Sequence, residues 1–434
     1  TRCLFKGPKK ICKRHTHGVR RAEERCRPRQ RHCVYENVFK VSREATQGLV
    51  MSASQKYPRI SDMVMPAARR LPAFVHAYLA AGTGQGQAMA RNEAAYADIH
   101  LMPRFLRGRV TPDTHCSVFG KTYSAPFGVS PIGLQSLIWP GAEKILCRAA
   151  AEAGIPYTLS TVAGEDVETI GPISDGHGWF QLYAPNDHGV MRDLLARAKK
   201  AGFTTLVLTA DVPGPSRRED MRLAGAPIGS RNPMSITPRV FWQCITHPAW
   251  SFAVLANGGK FRFKNLEPYS SASALANITD YIGSQLNGSL TWDYLDEIRK
   301  VWKGPMVLKG LLHDEDIDRA VGAGIDGLVL SNHGGRQLDA VPPSIHRLAD
   351  IRARLGDDYT LMVDSGVRSG LDIARAIACG ADFVLLGRAF MFGVAALGSQ
   401  GGNHVVSVLR DELENTMVQL GIENLTELRK VQSG

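Results

Sequence analysis

The sequence contains no apolar run of about 18 residues or more, the length that a helix needs to cross a bilayer. We therefore predict no membrane-spanning helix.

The sequence also has no Gly-x-Gly-x-x-Gly motif. Its nearest match, Gly82-x-Gly84-x-Gly86, has a different spacing and follows a helical pattern over Ala73–Ala80 rather than a strand. This absence argues against an enzyme that uses a nicotinamide cofactor.

Cysteine is sparse, at 8 of 434 residues. Four cysteines lie among the first 33 residues together with three histidines, and their spacing matches no usual zinc motif. The other four are scattered along the chain, as is usual for a protein in a reducing compartment. We therefore predict reduced thiols, no metal site and a cytoplasmic location.

The excess of positive charge is confined to the N-terminal arm. The formal net charge is +11, but residues 1–43 hold 14 of the 52 basic and 3 of the 41 acidic residues, so the rest of the chain has 38 of each. Because the rest of the chain carries no net charge, its composition gives no support for binding to nucleic acid. We predict no nucleic-acid partner.

Residues 1–50 form this arm, and they lack apolar periodicity. Three interpretations stay open. The arm is a disordered basic tail, or upstream sequence joined to a protein that begins at Met51, or a small module that binds a metal or nucleic acid. Since it has no apolar core of the kind that secretory signals contain, we do not expect a signal peptide. We place the main domain at residues 51–434.

Eight short apolar runs bounded by Gly and Pro predict strands that are buried on both faces. They are Phe127–Ser130, Tyr157–Ser160, Trp179–Tyr183, Thr205–Thr209, Met306–Lys309, Leu328–Ser331, Leu361–Asp364 and Phe383–Leu386. Helical patterns separate most of them, at Ala142–Ala153, Val190–Ala201, Trp292–Trp302, Asp314–Ala323, Ser344–Leu355 and Gly370–Cys379. This succession predicts an α/β fold, a (β/α)₈ barrel whose functional site lies at the C-terminal ends of the strands.

The segment Ser331-Asn332-His333-Gly334-Gly335-Arg336-Gln337-Leu338-Asp339 directly follows one of these runs. A histidine just past a strand end can act as a general base. Arg336 can bind a carboxylate with two hydrogen bonds, and the two glycines let the backbone approach a flat ligand. The segment therefore predicts proton abstraction from a small acid that lies against a ring. A purely structural role for His333 is the alternative.

Polar residues follow the other predicted strands as well, which a purely structural barrel would not require. They are Ser130, Ser160, Thr161, Gln181, Tyr183, Thr209, Asp211, Lys309 and Asp364. The loops after the seventh and eighth strands, Asp364–Gly370 and Leu386–Arg388, add backbone N–H groups and arginines. Barrels often bind a phosphate at this position, so we predict a phosphate site there.

From about Leu71 to Leu428 the chain resembles the FMN-dependent 2-hydroxy acid dehydrogenase/oxidase family, which includes glycolate oxidase, L-lactate dehydrogenase and mandelate dehydrogenase. The resemblance rests on segments that occur in the family's order and spacing. They are Leu71–Tyr78, Phe180–Tyr183, Leu208–Asp211, Arg218-Glu219, Leu308–Gly310, Ser331–Asp339 and Asp364–Arg368.

The resemblance implies which residues act on the substrate. His333 matches the base that removes the α proton, or the hydroxyl proton if the α hydrogen leaves as a hydride; both mechanisms stay open. Asp211 matches the carboxylate that pairs with that base. Arg336 and Arg218 match the two guanidiniums that bind the substrate carboxylate. The tyrosines that hydrogen-bond the acid are matched by Tyr78 and Tyr183.

The resemblance also implies FMN as the cofactor. Lys309 matches the cation that lies beside the N1–C2=O edge of the flavin and stabilises negative charge on the reduced ring. The positions that match flavin contacts are Pro131, Ile132, Gly133, Ser160, Gln181, Thr209 and Ser331. Those that match ribityl and phosphate contacts are Asp364, Gly366, Arg368, Gly387 and Arg388.

The chain departs from the family pattern at a few places. They are Gly82–Gln87 in place of an acidic segment, Val162 in place of the tryptophan of plant-type glycolate oxidases, Ser365 in place of a phosphate-loop glycine, and Ser216 in place of a glycine. The glycine at position 133 resembles the residue at this place in the lactate and mandelate dehydrogenases, which pass electrons to a carrier. We therefore predict oxidation of an (S)-2-hydroxy acid, L-lactate or a bulkier acid such as mandelate, to the 2-oxo acid, with electrons passing to a quinone or another carrier. The alternative is an oxidase that uses oxygen.

Residues 214–290 form an insertion after the fourth predicted strand, too long for a plain connection and rich in aromatic residues. Its Thr246–Trp250 run resembles the insertion of membrane-associated bacterial lactate and mandelate dehydrogenases. Two interpretations stay open, a contact with the inner face of a membrane and an ordinary lid or subunit contact. From the resemblance we also expect a homo-oligomer, namely a tetramer.

Overall fold

The computed structural model describes residues 52–225, 237–259, 261–269 and 290–431. The predicted arm over residues 1–50 lies outside this range, as do parts of the insertion at 214–290. The chain divides into two units, Thr1–Lys56 and Tyr57–Gly434. Everything described below about the site concerns the second unit.

Eight parallel strands close into a barrel, which confirms the predicted fold. A short antiparallel hairpin precedes them, formed by β1 (Cys116–Val118) and β2 (Lys121–Tyr123). The barrel strands are β3 (Phe127–Val129), β4 (Tyr157–Ser160), β5 (Gly178–Leu182), β6 (Thr205–Thr209), β7 (Met306–Leu311), β8 (Gly327–Leu330), β9 (Thr360–Val363) and β10 (Phe383–Leu386). Each pairs with the next in sequence, and β10 pairs with β3 to close the ring.

The barrel strands form where the sequence has short runs of Val, Leu, Ile and Phe, because both faces of each strand are covered. Side chains at the strand starts fill one end of the barrel, and the hairpin covers them. There Trp179 donates a hydrogen bond from its indole N–H to the hydroxyl of Tyr123 at 3.0 Å, and its ring packs beside Phe383. The hairpin seals the N-terminal end of the barrel, which leaves the opposite end for the site.

Helices of the second unit surround the barrel, and the helix over Ala53–Lys56 belongs to the first unit. The α-helices are α1 (Ala53–Lys56), α2 (Val64–Arg70), α3 (Ala73–Ala80), α4 (Gln87–Ala97), α5 (Gln135–Ile138), α6 (Ala142–Glu152), α7 (Val167–Ile173), α8 (His188–Lys200), α9 (Glu219–Leu223), α10 (Pro238–Thr246), α11 (Pro248–Ala256), α12 (Trp292–Val301), α13 (Asp314–Gly322), α14 (Leu348–Leu355), α15 (Gly370–Ala378), α16 (Arg388–Leu397), α17 (Gly401–Leu420) and α18 (Leu425–Leu428). Short 3₁₀ helices span Ile60–Met63, Glu267–Tyr269, Ser344–Arg347 and Gly398–Gln400.

Most predicted helices agree with the structure to within two residues. The pattern at Val190–Ala201 begins at His188 instead, because Asp187 caps the helix by accepting hydrogen bonds from two backbone N–H groups of the first turn. The pattern over Ser344–Leu355 is two elements, a 3₁₀ turn followed by α14. Pro343 precedes this turn, and a tighter first turn is common at helix starts.

The insertion supplies α9, α10 and α11 among its described parts, between the fourth and fifth strands of the barrel. The pair α10–α11 exposes large apolar side chains, each by more than half of its surface. They are Phe241, Trp242, Ile245, Phe252 and Leu255. None of the described helices combines the length and the apolar character that spanning a membrane requires.

Candidate active site

A cavity of about 430 Å³ lies at the C-terminal ends of the barrel strands, as the fold predicts. Most of the predicted site residues line it, which brings together segments from the whole length of the barrel. The predicted residues that line it are Tyr78, Pro131, Ile132, Gly133, Tyr183, Thr209, Arg218, Lys309, His333, Arg336, Asp364, Gly366, Arg368, Gly387 and Arg388. The other four are not on its wall. Ser160, Asp211 and Ser331 hydrogen-bond residues that are, and Gln181 hydrogen-bonds Ser160.

His333 and Asp211 form a close pair. The Nδ1 atom of His333 lies 2.7 Å from Oδ1 of Asp211, and we assign the Nδ1 hydrogen to this contact. His333 adopts a left-handed backbone conformation with φ of 57°, in a turn where its N–H donates to the hydroxyl of Ser331 at 3.0 Å. This arrangement leaves Nε2 as the ring nitrogen available to a bound molecule.

The Asp211 carboxyl is ionised despite its surroundings. Burial acts to raise its pKa, but the nearby charges of His333 and Lys309 outweigh burial, and the pKa lies below its ordinary value. Gly310 makes room for this side chain, because a Cβ atom there would lie 2.5 Å from the Cβ of Asp211. The pair therefore couples a buried anion to the imidazole, which stabilises that ring when it gains a proton.

Two guanidiniums, those of Arg336 and Arg218, lie on the ring of Tyr78, at 5.5 and 5.7 Å from its centroid. Arg336 donates to the backbone carbonyls of Tyr78 and Leu79 at 2.8 and 2.7 Å. Burial, and then repulsion from Arg218, lowers the pKa of Arg336 to about 10. A bound anion would relieve this repulsion, so the pair favours a carboxylate.

Neighbouring groups fix the position of Arg218 and of the tyrosines. Arg218 donates from Nε to the hydroxyl of Ser216 at 3.0 Å, so the serine at this departure from the family pattern holds the arginine. The hydroxyl of Tyr78 donates to the carbonyl of Gly133 at 2.8 Å. Burial, and then the Asp211 carboxylate, raises the pKa of Tyr183, so this phenol stays protonated and can donate a hydrogen bond.

Lys309 is a buried cation near the C-terminal end of β7. Its Nζ lies 2.7 Å from the hydroxyl of Ser331 and 2.9 Å from Oδ2 of Asp364. Burial acts to lower its pKa, but the carboxylates of Asp364 and Asp211 outweigh burial, and the pKa lies above its ordinary value. Lys309 therefore stays protonated on the wall of the cavity, paired with the Asp364 carboxylate.

The loop Gly82–Gly86 is held from two sides by residues whose role the sequence did not indicate. Glu219 accepts from the backbone N–H of Gly84 at 2.9 Å. Asp339 accepts from the backbone N–H groups of Gln85 and Ala88 at 2.9 and 2.7 Å. Since α4 begins at Gln87, Asp339 also satisfies unpaired N–H groups at a helix start. Its place three residues after Arg336 is the only sequence signal that could have drawn attention to it.

The sequence model of the FMN-dependent dehydrogenase family matches residues 67–432. The chain therefore belongs to this family, and it is an FMN-dependent enzyme of the 2-hydroxy acid dehydrogenase type. The resemblance of the sequence to this family is thereby confirmed.

The relatives divide between lactate and mandelate enzymes. The chain is 38% identical over 383 residues to an L-lactate dehydrogenase of Pectobacterium atrosepticum, covering 88% of this chain and 96% of the relative. Among solved structures it is similar to a monotopic membrane protein, (S)-mandelate dehydrogenase, with a TM-score of 0.81 and 34% identity over 87% of this chain and all of the other. It is also similar to mandelate oxidase, with a TM-score of 0.72 and 32% identity over 86% and 97% of the two chains.

The residues that the structure brings together fit FMN. The Nε2 group of Gln181 is buried and has no hydrogen-bond partner among the described residues, while its Oε1 accepts from Ser160 at 2.8 Å. A buried orphan donor of this kind suits an acceptor on a planar ring. At the phosphate end, burial and then repulsion from Arg336 and Arg368 holds the pKa of Arg388 well below its ordinary range. A bound anion would relieve this repulsion.

The two arginines at the phosphate end are also engaged with the protein. Arg388 donates to the backbone carbonyls of Leu79, Gly334 and Ala81, at 2.9 to 3.2 Å. Arg368 forms an ion pair with Glu93 at 2.7 Å. Gly366 and Gly387 line the same cavity, and a backbone N–H at a glycine can approach an anion closely.

Proposed function

We propose that this enzyme oxidises an (S)-2-hydroxy acid, L-lactate or a bulkier acid such as mandelate, to the corresponding 2-oxo acid. The observation that carries the proposal is the 2.7 Å contact between Asp211 and His333, and His333 lies on the wall of a cavity that two guanidiniums also line. A base beside a carboxylate-binding site suits a substrate whose acidic group and reacting carbon are adjacent.

In this proposal, Arg336 and Arg218 bind the substrate carboxylate and orient the adjacent carbon. Tyr78 and Tyr183 donate hydrogen bonds to the bound acid. His333 takes a proton from the substrate on Nε2, and the ionised Asp211 stabilises the imidazolium that results. These roles require the tautomer that the Nδ1 contact to Asp211 favours.

When bound, FMN supplies the acceptor for the two electrons that leave the substrate carbon. We propose that Lys309 lies at the pyrimidine edge of the flavin and that Gln181, Ser160, Thr209 and Ser331 hold the ring. The loop Pro131–Gly133 would pass along one face of the ring. The groups assigned to the ribityl chain and the phosphate are Asp364, Gly366, Arg368, Gly387 and Arg388.

The neighbourhood of Gly133 supports a carrier rather than oxygen as the electron acceptor. This residue lacks a side chain beside Val162, and an added Cβ would lie 2.8 Å from the Val162 Cγ2 atom. A glycine at this position resembles the pattern of the lactate and mandelate dehydrogenases. We therefore propose a quinone or another carrier as the acceptor, with an oxygen-using oxidase as the second candidate.

The exposed apolar face of α10–α11 supports a peripheral contact with a membrane surface, where a quinone would be found. One structural relative is described as a monotopic membrane protein. We propose that residues 214–290 make this contact, that the enzyme lies at the inner face of the membrane, and that it assembles as a tetramer.

A steady-state screen tests the proposal. L-lactate, glycolate, (S)-mandelate and longer 2-hydroxy acids are compared as substrates, each with oxygen and with a soluble quinone analogue as the acceptor. We expect turnover of at least one (S)-acid and faster turnover with the quinone analogue. Faster turnover with oxygen would favour the oxidase, and no turnover of any 2-hydroxy acid would refute the proposed substrate class.

A further inference from the structure

Gln243 lies on the inward-facing side of α10, together with the buried Val240 and the half-buried Cys244. Its neighbours Phe241, Trp242 and Ile245 are each more than half exposed, whereas Gln243 is half-buried. Its amide makes two hydrogen bonds in opposite senses. Oε1 accepts from the backbone N–H of Phe74 at 3.0 Å, and Nε2 donates to the backbone carbonyl of Ala224 at 3.0 Å.

These two partners belong to the ends of two other helices. Phe74 lies in the first turn of α3, where backbone N–H groups have no partner within the helix. Ala224 follows the last residue of α9, where carbonyls are left without partners in the same way. One side chain on α10 therefore satisfies one unpaired backbone group on each helix and fixes the spacing between them.

Both helices carry groups of the proposed carboxylate site. Tyr78 lies one turn after Phe74 on α3, and the carbonyls of Tyr78 and Leu79 bind Arg336. Arg218 is the cap residue directly before α9, and its guanidinium lies 5.7 Å from the centroid of the Tyr78 ring. A change in the spacing of α3 and α9 would therefore change the spacing between Arg218 and the other two groups.

Trp250 fixes the helix pair that carries Gln243. This side chain of α11 is 3% exposed, and its indole N–H donates to the carbonyl of Leu137 on α5 at 3.1 Å. Its ring also meets that of Phe74 edge-on at 5.8 Å. Gln243 therefore acts from a fixed support rather than from a loosely held surface helix.

We propose that Gln243 is a positioning residue for binding of the substrate carboxylate, because it sets the distance between the helix of Tyr78 and the helix of Arg218. This inference rests on the proposed function, in which these two residues bind the carboxylate. Gln243 itself lies outside the cavity wall, so it acts through the helices and not by contact with the substrate.

The test measures binding of oxalate, an unreactive dicarboxylate, to the FMN-loaded full chain, from the change in the flavin spectrum and from the rise in Tm. Gln243→Met keeps the length of the side chain and removes both hydrogen bonds. We expect the Kd for oxalate to rise about tenfold, because α3 and α9 lose the side chain that sets their spacing; a factor of ten corresponds to about 1.4 kcal/mol. Flavin reduction at saturating substrate should change by less than about threefold, because the His333–Asp211 pair is untouched.

Two further variants serve as comparison and control. Gln243→Glu retains the acceptor for Phe74 but sets an oxygen against the carbonyl of Ala224, so a rise in Kd is expected again. This variant replaces Gln243→Met if that variant fails to fold. Gln419→Met makes the same replacement at an exposed position on α17, where the side chain's only hydrogen bond among the described residues is to Asn415 of its own helix. Its Kd should equal that of the parent.

Arg218→Met separates this inference from the proposed function. If Arg218→Met raises the Kd for oxalate and Gln243→Met lowers only the Tm, then Gln243 is merely structural and the inference is overturned while the proposed function stands. If Arg218→Met leaves the Kd unchanged, the inference falls together with the role proposed for Arg218, and the substrate screen then decides on the proposed function. A double variant whose Kd equals that of Arg218→Met alone supports action through Arg218, and fully multiplicative effects contradict it.

Discussion

Replacement of Asp211 by asparagine isolates the charge of the carboxylate beside the proposed base. The amide has nearly the same shape, so it fits the space that Gly310 leaves and keeps a hydrogen-bond acceptor for Nδ1 of His333. The variant should fold and retain FMN, because Asp211 is not on the cavity wall. What it loses is the negative charge that faces the imidazolium.

The size of the loss follows from the geometry of the pair. Two unit charges about 4 Å apart attract by about 4 kcal/mol at an effective dielectric constant of about 20. The neutral amide keeps a hydrogen bond that contributes about 1 kcal/mol, so the net loss in the transition state is about 3 kcal/mol. Since about 1.4 kcal/mol corresponds to a factor of ten, flavin reduction should slow about 100-fold.

The assay is anaerobic stopped-flow mixing of the FMN-loaded protein with a saturating 2-hydroxy acid, followed by loss of the flavin absorbance. Asp350→Asn is the control, because the Asp350 side chain is 74% exposed and pairs only weakly with Arg347, at 3.6 Å. We expect parent-like reduction in the control. A reduction rate for Asp211→Asn within about threefold of the parent would refute the role that we assign to this charge.

Three further predictions follow from the charges and their positions. Arg336→Lys should weaken oxalate binding and slow flavin reduction despite its retained charge. The three donors of an ammonium cannot serve two backbone carbonyls and both oxygens of a carboxylate, and unchanged kinetics would assign carboxylate binding to Arg218 alone. The folded-state pKa of Asp211 lies below its ordinary value of 3.8, so its ionised form stabilises the protein above that pH and this stabilisation is lost on acidification. The difference in unfolding free energy between the parent and Asp211→Asn, measured by urea titration, should therefore shrink below about pH 4. A difference that stays constant with pH contradicts this prediction. Deletion of residues 1–50 should lower the pI from about 9.3 towards neutrality and leave FMN content, Tm and turnover unchanged; loss of flavin would show that the arm supports the barrel.

The barrel could be predicted from the sequence because each strand is a short apolar run with glycine or proline residues at its ends. The predicted ends differ from the observed ends by at most two residues, as at β7, which extends to Leu311. The hairpin β1–β2 was missed because strands of three residues are too short to show an alternating pattern. Helix α7 was missed as well, since it contains Pro172, which a sequence pattern treats as a helix breaker.

The wall of the site could be predicted because a barrel places the residues that follow its strands at one end. Long-range support could not be predicted in the same way. Gln243 meets Phe74 across 169 positions of sequence, and Asp339 meets Ala88 across 251. Contacts between a side chain and a distant backbone group depend on the packing of whole helices, and they leave no local pattern in the sequence.

The central claim is that His333 removes the substrate proton in an FMN-dependent oxidation. The most direct test is anaerobic mixing of the FMN-loaded parent and of His333→Ala with the (S) and (R) forms of the best 2-hydroxy acid. We predict that the (S) form alone bleaches the parent flavin, and that His333→Ala binds FMN but is bleached at least about 100-fold more slowly. Bleaching of His333→Ala at nearly the parent rate would contradict the account.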